Sequence, residues 1–138
     1  MTNDSLAKSY LTKAEKRLKI LDVLLNEEDY SDVVREAQEI VELSLKGMLR
    51  FVGVEPPKYH DVGPLVIEYQ KKFKNISFKE IKRIAKISKR LRKERELAFY
   101  GDIDFIPTEE YTREDAIEAM KGANYVVSIV KRLLKNEN

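Results

Sequence analysis

Residues 78–102 read FKEIKRIAKISKRLRKERELAFYGD, one long basic segment that runs into an aromatic-Gly-Asp turn. At 100° per residue, Ile81, Ile84, Ser88, Leu91, Arg95 and Ala98 fall on one stripe, which predicts a helix. Arg95 occupies a place in that stripe where an aliphatic side chain is expected, and Arg92 lies on its edge. A guanidinium aimed at a core needs a partner, because an unpaired buried charge is very costly. The helix therefore either carries a polar site on its inner face or pairs these arginines across a subunit contact.

Four further segments show helical periodicity, and none shows the alternation of a strand. In 5–26, Ala7, Tyr10, Leu11, Ala14, Leu18, Leu21 and Leu25 share a face, with Asp4 or Ser5 as the cap. In 30–52, Val33, Val34, Ala37, Val41, Ser44, Leu45, Met48 and Val52 form a wide apolar face that Gly53 ends. Pro56 and Pro57 follow and cannot continue a helix. A shorter helix is expected over 61–74, capped by Asp61, with Leu65, Val66, Tyr69 and Phe73 inward. Ser77-Phe78-Lys79-Glu80 is a capping-box pattern that opens the basic helix, which should end near Ala98. Residues 99–110 read as a loop, and 112–135 as a last helix with Ala116, Met120, Ala123, Val127, Val130 and Leu134 on one face. Its small residues Ala116, Ala119, Gly122 and Ala123 permit close helix approach. The expectation is an all-α single domain over 1–138, an up-and-down four-helix bundle with one short extra helix.

The charge is uneven. Residues 71–95 hold 12 basic and 2 acidic side chains, a net of +10, while the segments on either side each carry a net of −4. Such a run suits an anionic partner, or else a solvated helix face balanced by acidic neighbours. Lys and Glu are abundant and Cys is absent, a mix seen in proteins from hot environments. No thiol chemistry is available, one His excludes a two-His acid–base pair, and Asp102 and Asp104 are too few to specify a cation, so no metal or cofactor is expected. No apolar run approaches a membrane span and no signal peptide is legible, so a cytoplasmic protein is expected.

Gln38, Glu42 and Lys46 are spaced i, i+4, i+8 along one helical edge and form either a polar seam facing the basic helix or a solvated edge. Arg92 and Arg95 are suited to phosphate, and equally to ion pairs with Glu42 or Asp102. Tyr100 and Asp102 either line the same pocket or simply end the helix. His60 and Asp61 read as a turn in which Asp61 caps a helix, with no Cys or suitably placed Ser to make them a catalytic pair.

Residues 36–65, EAQEIVELSLKGMLRFVGVEPPKYHDVGPL, carry Ala37, Gln38, Val41, Glu42, Leu45, Lys46, Gly53, Pro57, His60 and Asp61 in an ordered set. With Arg95 and Ala98-Phe99-Tyr100-Gly101-Asp102, this set resembles the HEPN superfamily (higher eukaryote and prokaryote nucleotide-binding domains). The resemblance implies a helical bundle that pairs as a homodimer, binds nucleotide or RNA, and works beside a minimal nucleotidyltransferase in a toxin–antitoxin-type module. Many members are metal-independent ribonucleases whose motif is an Arg, four to six residues, then a His. Counting on from Arg95, the His position falls near Tyr100, and no His follows it. A phenol, with an ordinary pKa of about 10, is a poor neutral-pH acid–base group. The expectation is a non-catalytic or weakly active member. The alternatives are a divergent ribonuclease using Arg95 and Tyr100, and a structural dimerisation module.

Overall fold

The computed structural model describes residues 2–58 and 61–135, so the reading of His60 lies outside the described residues. The chain forms α1 (Thr2–Asn26), α2 (Tyr30–Phe51), α3 (Gly63–Glu68), a 3₁₀ turn (Gln70–Lys72), α4 (Phe78–Phe99), α5 (Pro107–Glu110) and α6 (Arg113–Lys135). The four long helices are those expected, and no strand occurs among the described residues. Helix α1 begins at Thr2, so Asp4 and Ser5 lie inside its first turn and do not cap it.

The helix ends follow from backbone chemistry. At the end of α2, Gly53 takes φ +82°. Its N–H donates to Arg50 O (3.0 Å) and that of Val54 to Leu49 O (2.9 Å), which satisfies carbonyls that would otherwise lack partners. Asp61 does serve α3, its Oδ1 accepting from Gly63 N at 3.0 Å, though Val62 intervenes as the formal cap. The expected third helix is cut short at Tyr69 and finishes as the 3₁₀ turn, after which Asn75 (φ 66°) turns the chain back. Ser77 and Glu80 form the full capping box of α4. The Ser77 backbone N–H, and then Arg132, hold the Glu80 carboxyl below its ordinary range.

Side-chain pairs fix the helix directions. Arg17 meets Glu36 and Arg50 stacks on Tyr10, so α1 and α2 are antiparallel. Arg92 meets Glu42 and Arg95 meets Glu39, so α4 is antiparallel to α2. Arg90 meets Glu118 and Arg83 lies over the Tyr125 ring, so α6 is antiparallel to α4 and therefore parallel to α2.

Helix α2 packs broadly on α1 and α6 and less on α4, whereas α4 barely touches α6. The bundle is thus compressed along the α2–α6 diagonal. The alanines of α6 (Ala116, Ala119, Ala123) and Ala37 and Ser44 of α2 are buried and short, which lets two helix axes approach. Ile40, Leu45, Met48 and Leu49 of α2 fill the core with Leu21, Ile81, Ile84 and Val126.

Because Ile40 is wholly buried at the centre of this core, Ile40→Ala is expected to lower unfolding stability by about 2–5 kcal/mol. Urea titration followed by circular dichroism reads this as a lower midpoint with an unchanged slope.

Candidate functional site

The tip of α4 and the first half of α2 form a polar seam. Stepping down α2 from Glu42 to Glu39 to Arg35 matches stepping up α4 from Arg92 to Arg95 to Phe99. At each level the two helices meet: Arg92 Nη1 donates to Glu42 Oε1 at 2.8 Å, Arg95 Nη2 lies 3.5 Å from Glu39 Oε1, and the Arg35 guanidinium sits 4.6 Å over the Phe99 ring. Glu42 is the hub. The buried Gln38 amide donates to the same Oε1 (3.1 Å), and Lys46 Nζ approaches Oε2 (3.4 Å). Of these three, Glu42 reaches the basic helix through Arg92, whereas Gln38 and Lys46 bond to Glu42 along α2 itself.

Arg95 is not turned into the core. Its side chain stays 37% exposed. The stripe that begins at Ile81 reaches, at this level, the charged edge of α2 rather than its apolar face. Arg92 is partly buried. The two differ in how they are held: Arg92 is hydrogen-bonded, whereas Arg95 makes an ion contact but no hydrogen bond among the described residues. Its planar fork keeps its donors free.

Tyr100 and Asp102 do not join that pair. The Tyr100 side chain is 71% exposed and packs edge-on against Phe99, ring centroids 4.8 Å apart. Asp102 is exposed, and its Oδ1 accepts from Ile103 N at 2.7 Å, bonding its own turn rather than Arg95. Gly101 makes that turn possible: it has φ +70°, and a Cβ there would collide with the Phe105 carbonyl oxygen. The segment read as loop also contains the single turn α5, begun by Pro107. Among the described residues no cluster of acidic or histidine side chains could hold a metal, and no helix is long and apolar enough to cross a membrane.

The sequence reading missed Glu39 and Arg35. Both were findable: once two helices are antiparallel, a basic residue three positions past Arg92 needs a mate three positions before Glu42. It also missed an acidic pair at the N-terminus of α2. Burial, then the hydrogen bond to Asp29 and the charge of Asp29, push the Asp32 carboxyl up to about 6 against the pull of Arg35. A raised pKa means that stability is fully present below Asp32's ordinary 3.8 and is lost as pH rises through about 6. Asp32→Asn, a neutral mimic of the protonated acid, is expected to raise the melting temperature at pH 7.5 and to leave it unchanged at pH 3.5. Thermal melts of both proteins across that range are the check.

The family model of the HEPN domain matches residues 7–133. A protein of Methanocaldococcus jannaschii named "Putative toxin MJ1304" is 30% identical over 142 residues, covering 98% of this chain and 92% of the relative. No solved structure matches the chain. The family model spans nearly the whole chain, and the chain belongs to the HEPN domain family.

Proposed function

We infer that this chain is a toxin-type HEPN protein that binds RNA or a nucleotide through Arg95 and Arg92 at the tip of α4. In this reading it pairs as a homodimer. It serves as the non-catalytic or weakly active member of a two-protein module with a nucleotidyltransferase partner. The observation that carries it is the state of Arg95, a half-exposed guanidinium that is charge-compensated by Glu39 yet not hydrogen-bonded. A phosphate offers it the bidentate bonds that Glu39 does not make. The relative named a toxin supports the module. The exposed side chains of Phe99, Ile103 and Ile106 at the same end support pairing, since apolar side chains clustered on one loop are better covered than wet. Tyr100 stands beside them, where a ring stacks on a base at little cost.

Two measurements test this. Labelled mixed-sequence RNA and free nucleotides are titrated with wild type, Arg95→Ala and the control Arg113→Ala, all in chelator. A charge-assisted contact is worth about 1.5–3 kcal/mol, so Arg95→Ala should weaken binding roughly tenfold to a hundredfold, with Arg113→Ala unchanged. No binding by wild type overturns the reading. RNA cleavage that disappears in Arg95→Ala replaces it with ribonuclease activity, and Tyr100→Phe is then the next variant. Pairing is read by light scattering: Ile103→Asp is expected to halve the mass of a wild-type dimer, and a monomeric wild type removes the homodimer from the proposal.

A further inference from the structure

The +10 segment does not spend its charge on one face. Arg92 and Arg95 turn to α2, where carboxylates meet them. Arg83, Lys86, Lys89, Arg90 and Lys93 line the other side of α4, and α6 adds Lys121. These six cations border a groove of about 640 Å³ between α4 and α6, floored by Ile87 and Gly122 and containing a single carboxylate, Glu118. The groove exists because α4 leans on α2 and barely touches α6. At its floor the two helices come close, and a Cβ on Gly122 would lie 3.1 Å from Ile87 Cγ2.

The cations are not equally engaged. Glu118 pairs with Arg90, and Arg83 lies over Tyr125 at 3.9 Å. Lys86, Lys89, Lys93 and Lys121 are all exposed, and none has a carboxylate partner among the described residues. Four unneutralised ammonium groups around one concave strip repel each other and concentrate counterions there. From Arg83 to Lys93 the strip runs about 15 Å along the helix at 1.5 Å per residue. Beyond Lys93 the cleft continues toward Glu94, Glu110 and Asp115, which close that end to a polyanion.

We propose that this groove holds the phosphate backbone of single-stranded RNA, a second contact surface separate from the Arg92–Arg95 seam. It rests on the RNA reading above and extends it from a point contact to a track. An acidic protein partner fits less well. A folded partner needs a desolvated apolar centre, and the floor here offers only Ile87 and a glycine. Wet, lysine-lined grooves without such a centre are the ordinary footing of nucleic-acid backbones.

The test uses a fluorescein-labelled oligouridylate of about twelve nucleotides, titrated at several salt concentrations with the full chain. The groove variant carries Lys86→Gln, Lys89→Gln, Lys93→Gln and Lys121→Gln. A control of equal charge carries Lys8→Gln, Lys16→Gln, Lys19→Gln and Lys135→Gln, exposed on other surfaces. Circular dichroism verifies that both are folded. Each phosphate contact contributes a slope of about 0.7 in log K against log salt for a single strand. The groove variant should therefore lose about 2–3 from the slope and on the order of a hundredfold in affinity at 0.1 M salt, with the control nearly unchanged. Equal losses in both variants mean diffuse attraction and overturn the groove. An affinity unmoved by the groove variant but lowered by Arg95→Ala also overturns it, while the RNA reading stands. If wild type binds no oligouridylate, the groove falls, while the seam reading is decided by mixed-sequence RNA and nucleotides. Binding of polyglutamate in place of RNA, abolished by the groove variant, overturns the proposal in favour of an acidic protein.

Discussion

The close approach of α2 and α6 is the constraint from which the rest follows. In a square bundle each helix would share itself between two neighbours. Here two parallel helices, α2 and α6, pack broadly on each other across the diagonal, and α1 and α4 are left on opposite flanks. Because α4 reaches the core mainly through α2, its two sides have different fates. One side is pressed on a helix edge rich in carboxylates, and the other opens on a groove with only one.

The seam is an example of how charge can register two helices. Glu42 receives Gln38, Arg92 and Lys46 at once, so neither its own charge nor that of Arg92 is left alone near the core. Half-buried pairs of this kind add little net stability, because desolvation cancels much of the attraction, but removing one partner is expensive. Their use is directional. A shift of α4 by one turn would set Arg92 against Glu39 and leave Arg95 without its mate, whereas the apolar stripe alone would tolerate such a slip.

Much of this was legible in the sequence, for reasons that can be named. The long helices carry wide apolar faces and explicit end signals, such as Gly53 and the Ser77–Glu80 box, and these depend on neighbours along the chain. Arg95 was misplaced because a helical stripe is a one-dimensional reading. It shows which residues share a face but not what stands opposite, and at the tip of α4 the opposite face is Glu39 rather than core. The third helix was drawn too long because Leu65, Val66, Tyr69 and Phe73 keep a plausible period through a break that only the backbone at Tyr69 reveals. Gly122 was recognised as a point of close approach, but not that its neighbour is Ile87. For that reason the groove, which draws its residues from α4 and α6 together, could not be read from either helix alone.

The two cationic edges of α4 differ in what an anion must displace. At the seam an incoming phosphate competes with Glu39 for Arg95 and sits near Glu42, so attraction is offset by like charge and by desolvation of a partly buried site. What it gains is geometry, since a guanidinium fork discriminates by shape. In the groove, four ammonium groups await no exchange of partners, and only Glu118 opposes. Contacts there release counterions and fade with salt. On the proposals made above, an RNA strand is captured first by the groove, over a long range and without regard to sequence. In the same proposal the seam acts second, over a short range, where Arg95 lies one turn of helix from Phe99 and Tyr100. The proposed capture and discrimination would thus use opposite sides of one helix, α4, which leans on α2 and opens a groove toward α6.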